Sequence, residues 1–229
     1  MQRWIFIIFL LLVFMVSCSA NEPTPTTAPT AASSATVAVS GSGRVFTLVA
    51  EQSSVSYSVQ EEFLGGAAGM IGKEAGTVTT VGATNAVSGQ IVLDFSGESP
   101  SLVSGQASVD VSTLTSDDSR RDDRIRSRWL ESASFPTATF TFTSMTGFPA
   151  GAYQEGEAVS FQLVGDLTIR DVTRPVTFAV TATLQGNTLS GTATTQILMS
   201  DFGVEPPNLL NILTVADETT ITLSFVAQD

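Results

Sequence analysis

The sequence predicts an all-β domain, and three observations predict it. From Phe46 onward apolar and polar residues alternate with period two in short runs. The runs are separated by Gly, Asn, Asp and Pro, the residues that set turns. Only one stretch of this region has helical spacing. Roughly eight to ten strands with one apolar face each can bury those faces only by closing around an interior, as a sandwich or as a barrel.

The chain opens with one cation, Arg3, followed by thirteen apolar residues from Trp4 to Val16. A helix needs about 20 residues to span a bilayer, so this segment is too short to cross and has the build of a secretory signal. Met15-Val16-Ser17-Cys18 resembles the lipobox of bacterial lipoproteins, in which the cysteine thiol carries diacylglycerol. Cys18 is the only cysteine, so it has no disulfide partner, and acylation accounts for both its isolation and its position. Residues 1–17 are therefore expected to be a lipoprotein signal peptide. The mature protein is expected to be exported and anchored by a lipid at Cys18, facing the periplasm or the cell exterior.

Residues 18–43 are Ala, Thr, Ser and Pro with almost no large apolar side chain, and are expected to be a disordered tether. As a coil the tether spans roughly 25 to 30 Å, and fully extended roughly 75 Å.

Residues 44–229 are expected to form one domain, since no second linker divides them. Val55, Tyr57 and Val59 alternate with serines, and Ile91, Leu93 and Phe95 alternate with Gln90 and Asp94. Val109 and Val111 flank Asp110, and Phe140 and Phe142 alternate with Thr139, Thr141 and Thr143. Later runs place Phe161, Leu163, Leu167 and Ile169 on one face, then Val176, Phe178 and Val180, and finally Ile221, Leu223 and Phe225. Gln185-Gly186-Asn187 marks a hairpin and favours sequential antiparallel pairing.

Residues 115–136 break the pattern. Asp117 and Arg121, and Asp122 and Arg126, stand four apart with the acid first, which favours a short exposed helix with Ile125, Trp129 and Leu130 on a narrow apolar face.

The composition narrows the function. With no histidine and a single cysteine, thiolate or imidazole zinc sites and His-dependent nucleophilic catalysis are excluded. The Asp-rich calcium loop signature does not occur, and no metal or organic cofactor is expected. A net charge of -12 with ten Lys and Arg argues against nucleic acid as a partner.

Several stretches occur in a telling order: SSVSYSV, ASVDVSTLTSDDSRRDDRIRS, FPTATFTFTS, LVGDLTIRDVTRPVTFAV and SDFGV. Together they resemble the YceI-like family of bacterial exported polyisoprenoid-binding proteins, over roughly residues 46–228. The resemblance implies an extended antiparallel lipocalin-like β-barrel with a helix-bearing segment at residues 117–132. It also implies an apolar tunnel for a long isoprenoid or fatty-acyl chain. The chain departs from the family at Gln60-Glu61 and Arg170-Asp171, where relatives often carry histidine.

The expected tunnel wall is Val55, Tyr57, Val59, Ile91, Leu93, Val109, Val111, Phe161, Leu163, Phe178, Val180, Leu223 and Phe225. The same alternation also suits a packed core. Arg120, Arg121, Arg124, Arg126 and Arg128 hold half of the cations. They suit an anionic lipid head group or a membrane surface at a barrel mouth, or a solvated helix whose field Asp117, Asp118, Asp122, Asp123 and Glu131 nearly cancel. Arg121, Arg124 and Arg170 are the head-group candidates. No catalytic residue is expected. The alternatives are an adhesion or scaffold sandwich and a carboxylate-pair hydrolase drawing on Asp94, Asp110, Asp166 and Asp201. The expected partners are a hydrophobic lipid and a membrane, and a homodimer is compatible with this reading.

Overall fold

The computed structural model describes residues 43–66, 68–149, 153–209 and 212–229. The expected signal segment, the expected acylation site Cys18 and the expected tether up to residue 42 lie outside the described residues.

Eleven strands are present among the described residues: β1 (Arg44–Leu48), β2 (Ser54–Phe63), β3 (Gly76–Thr84), β4 (Val87–Asp94), β5 (Ser101–Asp110), β6 (Thr137–Thr146), β7 (Ala158–Ile169), β8 (Val172–Gln185), β9 (Thr188–Leu198), β10 (Asn208–Leu209) and β11 (Leu213–Gln228). All pairings are antiparallel. β1 and β2 form one kinked ribbon, and β3 and β4 form another that runs beside it: β1 pairs with β4 while β2 pairs with β3. Counted as ribbons, the wall is an eight-stranded meander. The sheet closes because β11 pairs with β9 on one side and with both β1 and β2 on the other. Closure leaves a barrel, not a sandwich.

The kinks in the two broken ribbons lie side by side and are tied together. A 3-10 turn at Ala50–Gln52 interrupts the first ribbon. The buried Ser53 then replaces a lost ladder bond: its hydroxyl donates to the Val226 carbonyl at 3.2 Å and accepts from the Val226 N–H at 3.1 Å. Asn85, at the break between β3 and β4, donates its amide to the Ser53 carbonyl at 2.9 Å. Side-chain hydrogen bonds thus stand in for ladder bonds where the two strands are interrupted.

β5 pairs with β6 only from Gln106↔Thr141 to Asp110↔Thr137, so the first half of β5 and the last half of β6 diverge. The Phe142 ring covers this split. It lies over Gly105, where a Cβ would come within 2.4 Å of it.

The helical segment is α1 (Ser119–Arg124) continued by a π turn at Ile125–Trp129, within the expected 117–132. Asp118 caps it, accepting from the N–H groups of Arg120 and Arg121. The Asp117–Arg121 pair forms, but the expected Asp122–Arg126 pair does not. Asp122 is turned inward and buried, accepting from the Ser116 N–H at 3.0 Å and hydroxyl at 2.5 Å. Arg126 pairs instead with Asp123 at 2.6 Å and donates to the Leu114 carbonyl. One buried carboxylate holding the approach loop outweighs an exposed ion pair worth only tenths of a kcal/mol.

Candidate functional site

The meander encloses a cavity of about 1230 Å³ running from one end of the barrel to the other. Its wall is built by alternation: along β7, Val159, Phe161, Leu163, Leu167 and Ile169 face it, while Gln162 and Asp166 are exposed outside. All thirteen apolar positions singled out above border the cavity. Val59, Leu93, Val111, Leu163, Phe178 and Val180 are buried. Val55, Tyr57, Ile91, Val109, Phe161, Leu223 and Phe225 are only half-buried, although they face inward. Inward side chains that keep accessible surface mark a cavity, because a packed core leaves no such gaps.

The alternation left several lining groups without emphasis. Phe140 sits at the centre, its ring 4.7 Å from Phe178 and 5.4 Å from Phe142 between centroids. Phe46, Phe95 and Tyr153 plug the end opposite α1, with edge-on ring pairs at 6.3 and 6.2 Å. The Tyr153 hydroxyl donates to the Leu184 carbonyl at 2.7 Å, and the Arg44 guanidinium lies 4.8 Å from the Phe46 ring centroid. These groups come from distant stretches, and no local spacing links them.

The other end is polar. Glu61, only 4% exposed, faces the cavity and pairs with Arg121 at 3.4 Å. Arg121 also reaches Asp117, the Ser116 hydroxyl at 3.0 Å and the Thr80 hydroxyl at 3.3 Å. Burial pulls the Arg121 pKa down, but Glu61 and Asp117 outweigh it and hold the guanidinium above its ordinary value. Nearby, burial pushes the Tyr57 phenol up to about 12, with Arg121 acting in the opposite direction. The Tyr57 ring lies flat over Gly82 in the paired strand, where a Cβ would meet it at 2.3 Å. Gln60 of the departed family position points outward to the Thr79 hydroxyl, so Glu61 alone of that pair enters the cavity.

Arg121, Arg124 and Arg170 all border the cavity, in different states. Arg170 occupies the left-handed region at φ 56° in the two-residue turn between β7 and β8. It pairs with Glu131 at 2.7 Å and donates to the Gly203 carbonyl at 3.3 Å, tying the hairpin to the end of the helical segment. Arg124 is exposed and makes no side-chain hydrogen bond or ion pair among the described residues. Asp94, Asp110, Asp166 and Asp201 do not line the cavity. Asp94 and Asp110 cap local turns at Ser96 and Ser112. In the Asp201-Phe202-Gly203 turn, Phe202 is buried and Gly203 is left-handed at φ 69°.

Closure of eight antiparallel ribbons around a long apolar cavity, with aromatic rings clustered at one end, defines a lipocalin-like barrel. Sequence comparison narrows that class. The chain belongs to the YceI-like family, whose domain profile matches residues 46–227.

UPF0312 proteins of two Pseudomonas putida strains are 32% identical over 123 residues, covering 50% of this chain and 60% of theirs. The chain thus spans less than two thirds of the length of these curated relatives. Among solved structures, BcnA of Burkholderia cenocepacia matches with a TM-score of 0.57 at 25% identity, over 79% of this chain and 99% of that one. A polyisoprenoid binding domain from Saccharophagus degradans, implicated in plant cell wall breakdown, matches with a TM-score of 0.58 at 15% identity, over 80% and 97%. This last likeness bears on the fold.

Proposed function

We propose that this protein is an exported, membrane-tethered lipoprotein that holds a polyisoprenoid or fatty-acyl lipid in its barrel by non-covalent binding, without catalysis. The observation that carries this reading is the cavity of about 1230 Å³ walled by inward Val, Leu, Ile and Phe side chains. Its volume exceeds the roughly 300 to 1,000 Å³ typical of small-molecule sites. It also extends along the barrel, as an elongated guest requires. An apolar chain offering several hundred Å² gains on the order of 10 kcal/mol from burial, before association costs are subtracted. The polyisoprenoid-binding domain of Saccharophagus degradans, of the same fold, supports the choice of guest. The hydrophobic run before Cys18 supports tethering, and acylation there would keep the barrel within reach of a membrane.

The test is to incubate the purified protein with a total lipid extract, denature it, and identify released lipid by mass spectrometry. One long-chain lipid per barrel is expected, and Phe161→Asp and Phe178→Asp variants that still fold should release none, since each buries a carboxylate in the wall. Recovery of no stoichiometric lipid from the wild-type protein would overturn the reading.

A further inference from the structure

We propose that the helix-bearing end of the barrel is a docking surface for an anionic lipid bilayer, carried by Arg120, Arg124 and Arg128. The sequence interleaves arginines with acids here, as if the charges cancelled, but the structure sorts them. Asp117 is taken by Arg121, Asp123 by Arg126 and Glu131 by Arg170. Asp122 is buried on Ser116, and Asp118 caps the helix. Every acid of the segment is therefore engaged by groups other than Arg124 and Arg128. These two make no side-chain hydrogen bond or ion pair among the described residues, and Arg120 has only a 3.9 Å approach to Asp118.

The four-residue spacing of Arg120, Arg124 and Arg128 keeps them on one face. All three are exposed, Arg120 with 86% of its side chain accessible, and all three border the cavity. A protein of net charge -12 thus sets three exposed arginines on the rim of its opening.

Apolar side chains share this end. Met70, in the turn after β2, is 84% exposed; Leu198, closing β9, is 42% exposed; and Leu209, in β10, is 40% exposed. Of the six large apolar side chains exposed among the described residues, only Val103 lies toward the plugged end. Basic groups and protruding apolar tips at the same end match a bilayer interface, where phosphates meet acyl chains. A water-soluble anion would leave the apolar tips unused. Docking sets the mouth against lipid, a purpose that rests on the lipid-binding reading above; attachment to the bilayer does not depend on it.

The test uses the chain from Ser19 onward, which keeps every strand of the barrel but no acyl anchor. Its partition is measured by co-sedimentation with vesicles of phosphatidylcholine alone or mixed with phosphatidylglycerol. Binding to the mixed vesicles only, weakened by salt, is expected. At about 1 kcal/mol for each basic residue near an anionic surface, Arg120→Ala/Arg124→Ala/Arg128→Ala should lower the partition coefficient about a hundredfold. Met70→Ser/Leu198→Ser should weaken it further at high salt, where the charges are screened.

Equal partition onto the two vesicle types, or no effect of the triple substitution, would overturn the proposal. The lipid cargo of each variant is measured in parallel. Loss of cargo with vesicle binding unchanged would assign the arginines to a ligand head group and overturn docking. Vesicle binding by a wild-type protein that yields no cargo would leave docking standing and remove the carrier reading instead.

Discussion

Replacing Arg121 by Met would strand the Glu61 carboxylate inside the barrel. The two groups meet at 3.4 Å with only 16% and 5% of their side chains exposed. At an effective dielectric of about 20, unit charges at that distance attract by roughly 5 kcal/mol, and much of this is offset by taking both ions out of water. The net worth of the pair is therefore small, while the loss of one partner is large. Removing the guanidinium leaves a buried charge with no counter-ion, at an expected cost of about 3 to 5 kcal/mol. Against the total of about 5 to 15 kcal/mol usual for a domain, that is a large share.

Arg121→Met/Glu61→Leu removes both charges. It should recover at least about 2 kcal/mol of the single variant's deficit, because an apolar pair suits the same space. Recovery is incomplete, because Arg121 also engages Asp117, Ser116 and Thr80. Equilibrium urea denaturation of the four proteins of the cycle measures the coupling directly. Equal losses in the single and double variants would refute the reasoning and locate the energy in the Ser116 and Asp117 contacts.

Two other outcomes follow from buried rings. Tyr57 is held neutral chiefly by burial, with its phenol up at about 12 against an ordinary 10.0. A group raised in the folded state contributes stability that is complete below its unfolded value, so this contribution should be lost as pH rises from 10.0 through about 12. Alkaline absorbance titration should show one phenolate midpoint near 12, and Tyr57→Phe should flatten the decline in stability over that window; a Tyr57 midpoint at 10.0 would refute the burial. Phe202, 2% exposed, packs in the same cluster as Phe140 and Phe178. Phe202→Ala should cost about 3 to 5 kcal/mol in thermal or urea unfolding, and a loss under about 1 kcal/mol would show that the site collapses around the gap.

The strand faces were legible in the sequence because a β-strand alternates with period two, so Phe161 and Leu163 face one way whatever the strand's neighbours are. Closure was not legible from alternation. It depends on β11 meeting β9 and both halves of the first ribbon, a long-range register that no local window contains. The resemblance to a family supplied it. The aromatic plug has the same cause: Phe46, Phe95 and Tyr153 belong to separate segments and become neighbours only after closure. At the helical segment, the four-residue rule identified Asp117 with Arg121 but missed Asp122, which spacing treats as a surface acid and the approach loop draws inward. Burial of one carboxylate shifted the pairing to Asp123 and so decided which arginines stayed free.

The two ends of the barrel use arginine differently. At the plugged end Arg44 is committed: it pairs with Asp229 at 2.7 Å, donates to the Gly186 carbonyl at 2.8 Å and covers the Phe46 and Phe95 rings. It therefore ties the first strand to the last and to the hairpin between β8 and β9. Opening that end means breaking a charged network and unstacking the rings together. At the helical end Arg121, Arg126 and Arg170 are committed in the same sense, fastening the segment to the barrel wall, but Arg124 and Arg128 make no side-chain hydrogen bond or ion pair among the described residues and Arg120 only approaches Asp118 at 3.9 Å. The segment is fastened along its inner face only, and its outer face meets solvent beside the cavity. Both ends are therefore pinned by charged networks, and the helical end differs in also presenting exposed arginines beside the cavity.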